Sequence, residues 1–441
     1  METETPDGTI NSTQQASIDQ LDLITRLGVT PLKRFMVELS YHEDLYGFCS
    51  SGYVMLRDGV GLIENGRLTG DEYIEIKFAP AKGLETKTKK LRVYTIGKRK
   101  PTGNMTSEFY SLFFCSEELI LSEQNKISQS YKGQKVSEIV KDILSNKMKV
   151  DTAKINKIEN TTGVYDFIIP RLKPLEAISW VSNHARPEST GLVGADMLFF
   201  ENRYGFNFSS LNTLMQAQPY KTYRYQQNNL GQKVQDLENK LTSIIKYEVV
   251  KDVNFLNSTA SGLFANRLLL IDPLRKTSQV ADFDYDKYTK KLTGLNKNPL
   301  PTDVTNRLGK KPNENYDAVY KVRFANLTQV NVPEIKNIDG SVGKDIFLEE
   351  TLTHRAAQLS LANHTVLKLV VPGDSLLTVG STLNLQFFTL LIGETRKLDE
   401  YYSGKYLITA VRHILQSQGA YQTVLEVAKE STTAPYQIKS K

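Results

Sequence analysis

The chain has 441 residues, of which 40% are hydrophobic and 24% charged, and this is the composition of an ordinary globular protein with room for roughly three or four domains. Its 55 basic and 49 acidic residues give a net charge of +6, too small at this length to indicate nucleic acid as a partner. No run approaches the ~18 apolar residues of a membrane span, and the acidic start Met1–Thr5 does not resemble a secretion signal, so we expect assembly in a cytoplasm.

Residues 1–30 predict an N-terminal arm followed by a short helix. Residues 1–17 are rich in Thr, Ser, Gln and Asp, which is typical of an unstructured segment. Four apolar residues then recur at every third position: Ile18, Leu21, Ile24 and Leu27. This spacing predicts an amphipathic helix that Gly28 and Pro31 would end.

Residues 31–122 show one strand pattern after another. Phe35, Val37 and Leu39 alternate with their neighbours in the first of them, and dipeptides such as Asp58-Gly59 and Asn65-Gly66 signal turns. Several short antiparallel strands of this kind favour a barrel or a sandwich. We therefore expect residues 31–122 to form a first β-barrel domain.

The pattern changes over residues 123–215, where we expect an inserted module of both helices and strands. Five apolar residues fall on one helical face: Val136, Ile139, Val140, Ile143 and Leu144. Pro174 marks the first turn of a second helix. The turn signal at residues 202–205 lies between two apolar runs and predicts a hairpin.

Residues 216–343 are expected to begin a second β domain and to include a long irregular excursion. A strand pattern covers residues 244–250, and three prolines occur within residues 296–312. Tyr220, Tyr223 and Tyr225 fit either a protein interface or half-buried strand positions. Residues 344–431 predict a helix over Leu348–Leu359 and the remaining strands of that domain, and residues 432–441 a polar, extended tail.

The last block of strands is the most regular part of the sequence. Leu383, Leu385 and Phe387 alternate with polar residues, which is strand periodicity with one buried face. The polar segment Gln416–Gly419 separates two further strand patterns and predicts a hairpin loop.

Three strand patterns occur in the same order near both ends of the chain. Ile74–Phe78 matches Leu383–Phe387, and a Val93–Ile96 strand follows it. Phe109–Phe113 resembles Tyr421–Leu425, and both are followed by a glutamate. An internal duplication of a β domain explains this order, although short alternating strands also match one another by chance.

One basic cluster and two cysteines are candidates for a binding or redox site. The cluster is dense between residues 82 and 100: Lys82, Lys87, Lys89, Lys90, Arg92, Lys98, Arg99 and Lys100. It fits phosphate binding or, as the more ordinary alternative, a solvated strand flank that discourages edge pairing. Cys49 and Cys115 are expected to be free thiols.

The sequence predicts no catalytic, cofactor-binding or metal-binding residue. Phosphate-loop, nucleophile-elbow and zinc-pair motifs are missing, and five histidines are scattered: His42, His184, His354, His364 and His413. Asp282, Asp284 and Asp286 alternate, but they lack the glycine and closing glutamate of a calcium loop. We therefore expect a protein without cofactors that is not an enzyme.

Several segments together resemble the baseplate hub proteins of contractile-tailed bacteriophages. They are the final strands Gly404–Ser431, the turn Pro372–Asp374 before them, the hairpin Phe199–Phe208, and Asn257–Ala265 leading to Ile271-Asp272. The resemblance covers most of residues 30–431. It implies a mainly β, α+β chain with two barrel-like tube domains, an inserted α+β module and a long excursion.

The resemblance also implies a structural role in the virion. In that family three chains close into a pseudo-six-fold ring that joins the hexameric tail tube to the trimeric central spike, so the expected partners are the chain itself, tube proteins, the spike and surrounding baseplate proteins. Genomic DNA would pass through the ring without sequence-specific binding. Two alternatives remain open: a hub or spike component of a type VI-like injection system, which usually continues into a needle of repeated strands, and a tail-associated wall hydrolase.

Overall fold

The computed structural model is mainly β, with short helices between the strands. It describes residues 17–79, 88–103, 106–188, 196–225, 240–252, 254–273, 276–290, 294–324, 335–336, 342–343, 347–388, 397–417 and 419–434. The predicted arm up to residue 16, the tail from residue 435, and Lys82 and Lys87 of the basic cluster lie outside these residues.

The first β region contains seven strands: β1 Ser17–Thr25, β2 Gly28–Pro31, β3 Met36–Asp44, β4 Ser51–Asp58, β5 Tyr73–Ala79, β6 Lys89–Pro101 and β7 Glu108–Cys115. The helix predicted at residues 18–27 is wrong, because this segment is β1 and pairs with both β2 and β5. Leu21 and Leu23 are buried while Leu27 is exposed, so the true period is two.

Two local details of this region also differ from the sequence pattern. A register shift between Met36 and Glu38 brings Met36 and Leu39 to the core, so Phe35, Val37 and Leu39 do not share one buried face. Asn65-Gly66, predicted to form a turn between strands, instead ends the short helix Leu62–Gly66, whose first residue donates its N–H to Asp58.

The inserted module has its own core. Its helices are Glu117–Gln124, Val136–Asp142 with a π-turn Ile143–Lys147, Pro174–Ser182 and Leu211–Gln216. Its strands are β8 Ile127–Gln134, β9 Ile155–Ile158, β10 Thr161–Thr162, β11 Tyr165–Leu172, β12 Arg186–Pro187, β13 Met197–Asn202 and β14 Gly205–Ser210. Both predicted helices and the hairpin are confirmed, and all five predicted apolar residues of the first helix are buried.

The remaining strands lie in a second β region, a peripheral sheet and a separate two-stranded sheet of β20 and β21. They are β15 Pro219–Arg224, β16 Lys246–Lys251, β17 Ala265–Asp272, β18 Thr277–Asp284, β19 Tyr320–Phe324, β20 Ile335–Lys336, β21 Val342–Gly343, β22 Thr365–Pro372, β23 Thr382–Gln386, β24 Gly404–Gln416 and β25 Tyr421–Lys429. The helices here are Phe255–Ala260, Tyr285–Thr289 and Phe347–Ala362. The predicted excursion is more regular than expected, because β18, β17 and β19 form a sheet beside the last helix.

The two β regions share one sheet. Along its main path the order is β16-β22-β25-β24-β3-β4-β7-β6-β5-β1-β2, and β23 and β15 branch from β24. In the second region, an isolated bridge between Arg224 and Ser243 links the end of β15 to residues just before β16. Separate apolar clusters fill the first region, the module, the second region and the peripheral sheet.

Candidate assembly interface

Two sets of five strands have the same arrangement. Neighbouring strands run β3-β4-β7-β6-β5 in the first region and β16-β22-β25-β24-β23 in the second. In chain order, both sets place their first, second, fifth, fourth and third strands side by side, and all these neighbours are antiparallel. This shared order supports the internal duplication predicted from the sequence.

A β-bulge at the same point of both sets fixes their alignment. The register shifts after Val93 in the β6–β7 pair and after Ile408 in the β24–β25 pair. Two residues before the bulge, Leu91 pairs with Ile74, and Tyr406 pairs with Leu383. Ile74–Phe78 is therefore equivalent to Leu383–Phe387, as the sequence predicted.

The match predicted for the fifth strands is one residue out of register. Three residues after each bulge residue, Ile96 pairs with Leu112 and Val411 pairs with Leu425. Leu112 is therefore equivalent to Leu425, whereas the sequence match placed it on Val424. The correction has a physical basis, because Leu112 and Leu425 are both fully buried.

The two β regions are joined by a strand pair within the chain. β24 pairs antiparallel with β3 over seven residues, from Ala410 opposite Asp44 to Gln416 opposite Glu38. Arg412 supports this in-chain junction by donating hydrogen bonds to Ser40 Oγ at 2.8 Å and to Tyr53 Oη at 2.8 Å. The residues opposite each other here are separated by about 370 positions in the chain, so the pairing is entirely tertiary.

The core of the first region continues across this junction. Leu415 and Tyr421, from β24 and β25, belong to the apolar cluster of the first region. Tyr421 Oη lies 2.9 Å from Nδ1 of buried His413. Burial holds the pKa of His413 at about 4, so its ring is neutral at physiological pH and packs as an aromatic group.

Buried Glu201 on β13 ties the inserted module to the first β region. Its carboxylate accepts hydrogen bonds from the N–H and hydroxyl of Ser50, each at 2.9 Å, and from the hydroxyl of Ser116. Lys89 Nζ lies 3.4 Å away. Burial opposes ionisation, but Lys89 and these hydrogen bonds outweigh it and hold the pKa of Glu201 below its ordinary value.

A second buried carboxylate, Glu43 on β3, contacts the second β region. It accepts hydrogen bonds from the Thr378 hydroxyl and, at 3.2 Å, from the Val379 N–H. Desolvation outweighs these contacts and raises the pKa of Glu43 to about 7. Nearby, Arg203 from the module donates to the Ser375 carbonyl, so all three parts of the chain meet at this point.

The described part of the basic cluster is largely engaged within the first β region. Arg99 forms ion pairs with Glu108 at 2.6 Å and Glu64 at 2.9 Å, and Arg92 lies within 4 Å of Asp71 and Glu117. Lys89 contacts Glu201, and Lys90 and Lys98 lie over the rings of Tyr73 and Tyr53, respectively. These contacts favour the interpretation as a solvated strand flank.

The other groups considered from the sequence have structural contacts. Asp282 pairs with Arg267 at 2.6 Å, Asp284 caps the helix Tyr285–Thr289, and Asp286 accepts a hydrogen bond from Thr302. Across the described ranges, no three or more His, Cys, Asp and Glu side chains are grouped to hold a metal ion. Cys49 and Cys115 are both free thiols, and burial raises the pKa of Cys115 to about 11.

The remaining histidines lie among aromatic or polar side chains. His184 contacts Phe167 and Trp180, and His354 contacts Phe283 and Tyr288. Burial lowers the pKa of His42 and of His364 to about 4. Tyr223 is fully buried while Tyr220 is partly exposed, so this tyrosine segment has strand positions of both kinds.

The residues that matter most to the assembly of the chain were not found from the sequence. Glu43, Glu201 and Arg412 are ordinary charged residues in strand patterns, and their partners are distant in the sequence. One local signal existed for Glu201, because a carboxylate inside the apolar run of β13 has to find a buried partner.

The fold is that of phage tail proteins. Over 93% of this chain and 96% of the other, it matches a tail protein from Neisseria meningitidis MC58 with a TM-score of 0.54 and 12% identity. It also matches the 43 kDa tail protein of prophage MuSo2 from Shewanella oneidensis, with a TM-score of 0.52 and 9% identity over 93% and 98% of the two chains. No family model matches the sequence.

A sequence relative makes the resemblance more specific. The chain is 24% identical over 412 residues to the probable baseplate hub protein gp334 of Vibrio phage KVP40, covering 90% of both proteins. The resemblance to baseplate hub proteins noted in the sequence is thereby confirmed. Within the described part of the chain, helices both long and apolar enough for a bilayer span are absent.

Proposed function

We propose that this chain is a structural subunit of the baseplate hub in a contractile phage tail. Three copies would close into a pseudo-six-fold ring that joins the hexameric tail tube to the trimeric central spike. The role would be geometric, without catalysis or a cofactor, and its location would be the tail baseplate of the virion.

The in-chain junction carries this proposal. It joins two β regions of equal strand order through different surfaces, β24 on one region and β3 on the other. A contact between unlike surfaces of equivalent units repeats around a ring when the rotation between units closes. Three chains with two equivalent units each would present six equivalent surfaces to a hexameric tube and three-fold symmetry to a spike.

The other parts of the chain would lie outside the ring. The peripheral sheet and the segment between its strands β18 and β19 expose apolar side chains, with Val304 and Leu308 of that segment each more than 70% exposed. Exposed apolar groups of this kind are typical of protein contact surfaces. We assign this side of the molecule to contacts with surrounding baseplate proteins, and the central opening to DNA passage without sequence readout.

Solution mass and particle shape test the proposal together. Light scattering on the purified chain should give about three times the chain mass, and negative-stain averages should show a ring with a central hole and six-fold-looking density. A compact monomer at high concentration, with no ring even when the cognate tube protein is added, would overturn it. A zymogram on cell-wall substrate separates the structural role from the hydrolase alternative.

A further inference from the structure

We propose that the edge strand β16 of one copy pairs antiparallel with the C-terminal half of β6 in the next copy, with Glu248 opposite Lys100. This inference rests on the proposed ring and names the surfaces that close it. The partner is a second copy of this chain, and the contact repeats between copies the junction that β24 and β3 already make within one copy.

The assignment follows from the equivalence of the two strand sets. β16 and β3 are the first strands of their sets, and β6 and β24 are the fourth. β6 and β24 are also the same length, 13 residues each. Because β24 of the second region binds β3 of the first, the equivalent contact for the next copy joins β6 to β16.

Among the described residues, the backbone edges required for this contact are open. β16 lies at one end of the sheet, with β22 as its strand partner among the described residues. β5 covers one side of β6 over Lys89–Arg92 only, whereas β24 is flanked on both sides over most of its length. An open strand edge is a template for pairing with another chain.

Side chains are more exposed on β16 and on the end of β6 than at the equivalent positions of β3 and β24. Tyr41 on β3 is 4% exposed, while its equivalent Val249 on β16 is 38% exposed and Val250 beside it is 54% exposed. From Ala410 to Leu415, β24 alternates between half-buried and buried positions, but the last four residues of β6, Lys98–Pro101, are all exposed. The position on β3 that is equivalent to Val249 is therefore covered in the first region, whereas the apolar residues of β16 are uncovered in the second.

The pairing register can be transferred from the in-chain junction. There Ile414 lies opposite Ser40. Ile414 is equivalent to Lys100, because Ile414 pairs with Gln422 on β25 and Lys100 pairs with Phe109 on β7. Ser40 is equivalent to Glu248, because Ser40 pairs with Tyr53 on β4 and Glu248 pairs with Lys368 on β22.

Replacing each residue by its equivalent places Lys100 opposite Glu248. Opposite charges at directly facing positions stabilise a strand pair. Pro101 follows at the next position and lacks an N–H, so the ladder would end there.

An engineered disulfide tests the register. Directly opposite residues in an antiparallel pair have Cα atoms about 4.5–5.5 Å apart, which a disulfide can span. We expect the Lys100→Cys/Glu248→Cys double variant, oxidised under mild conditions, to form covalent dimers and trimers on non-reducing gels. Each single variant should remain monomeric on the gel and so controls for the native thiols.

The matched control is Lys90→Cys/Glu248→Cys, which uses an exposed position on the half of β6 that β5 covers. It should link at least tenfold less than the Lys100 pair. If light scattering shows a trimer but the Lys100 pair links no better than the Lys90 pair, this junction is wrong and the ring proposal stands. If every variant and the parent chain are monomeric with no ring, both are overturned.

Discussion

At the scale of single residues, two buried carboxylates have opposite electrostatic behaviour because their surroundings differ. Glu201 has Lys89 and three hydrogen-bond donors from two serines. Glu43 has two donors, and its Oε1 atom is buried without a hydrogen-bond partner among the described residues. Desolvation therefore dominates at Glu43 and is overcome at Glu201.

Glu43 should make the stability of the chain fall with rising pH. Its pKa is about 7 in the folded chain against an ordinary value of 4.5, so the folded state binds the proton more tightly and the free energy of unfolding falls as pH rises through this range. The parent chain should lose on the order of 2 kcal/mol of its free energy of unfolding between about pH 5 and about pH 8, and we expect Glu43→Gln to remove this loss. Urea unfolding at both pH values measures it.

The control for this measurement is Glu400→Gln, which changes an exposed carboxylate. Its difference from the parent chain should be the same at both pH values. Equal pH dependence in Glu43→Gln and the parent would show that Glu43 is ionised at little cost in the folded chain, contrary to the desolvation argument.

Glu201 should be needed for the stability of the contact between the module and the first β region. Glu201→Ala leaves the buried Ser50 N–H without its acceptor and removes the carboxylate partner of Lys89. We expect a loss of about 3 kcal/mol, the usual effect of removing one member of a buried pair. Chemical denaturation measures it. Glu201→Gln, which keeps an acceptor oxygen, should lose less stability than Glu201→Ala. An equal loss in the two variants would assign the effect to packing.

At the scale of elements, strand edges determine how the parts of the chain can join. The in-chain junction buries the edges of β3 and β24, whereas β16 and the second half of β6 keep theirs open. Backbone edges bind any strand, so the facing side chains have to fix the register. The proposed facing of Lys100 and Glu248 supplies this specificity.

Reversing one of these charges should weaken the trimer, and reversing both should restore it. Glu248→Lys places two cations opposite each other at each of three junctions, and a facing pair contributes about 0.2–1 kcal/mol. We expect roughly a tenfold rise in the concentration needed for assembly, which light scattering on a dilution series measures. Adding Lys100→Glu should recover most of the loss. A double variant as weak as the single one would contradict the facing.

At the scale of the whole molecule, duplication gives one chain two equivalent units while keeping different surroundings for each. The inserted module follows the first unit and the peripheral sheet lies within the second. A three-fold partner that contacts these attached parts can therefore distinguish the two units, whereas a six-fold partner that contacts only their shared strands cannot. This asymmetry is what the proposed adaptor between a hexameric tube and a trimeric spike requires.

The proposed ring should bind two tube subunits per chain. Three chains present six equivalent units, so native mass spectrometry of the ring mixed with the cognate tube protein should show three hub chains with six tube subunits. Omitting the tube protein gives the reference mass. A saturated complex with three tube subunits would mean that the two β regions are not equivalent as docking surfaces.

Local sequence patterns predicted the mainly β fold, most of the strands, the helices of the module and the order of three strands that both β regions share. These features depend on the alternation or helical spacing of nearby residues, which is local information. It was misleading at Ile18–Leu27, where apolar residues recur at every third position although Leu21 and Leu23 follow strand alternation, and at Met36, where a bulge shifted the register.

The junction between the two β regions, and the charged residues buried at their contact, could be identified only from the tertiary structure. β24 and β3 are separated by about 370 residues, and each has a strand pattern that could pair with many others. The partners of Glu43 and Glu201 are likewise distant in the chain. Such contacts depend on the packing of whole layers, because an open edge or a charged side chain does not specify its partner until the fold brings one to it.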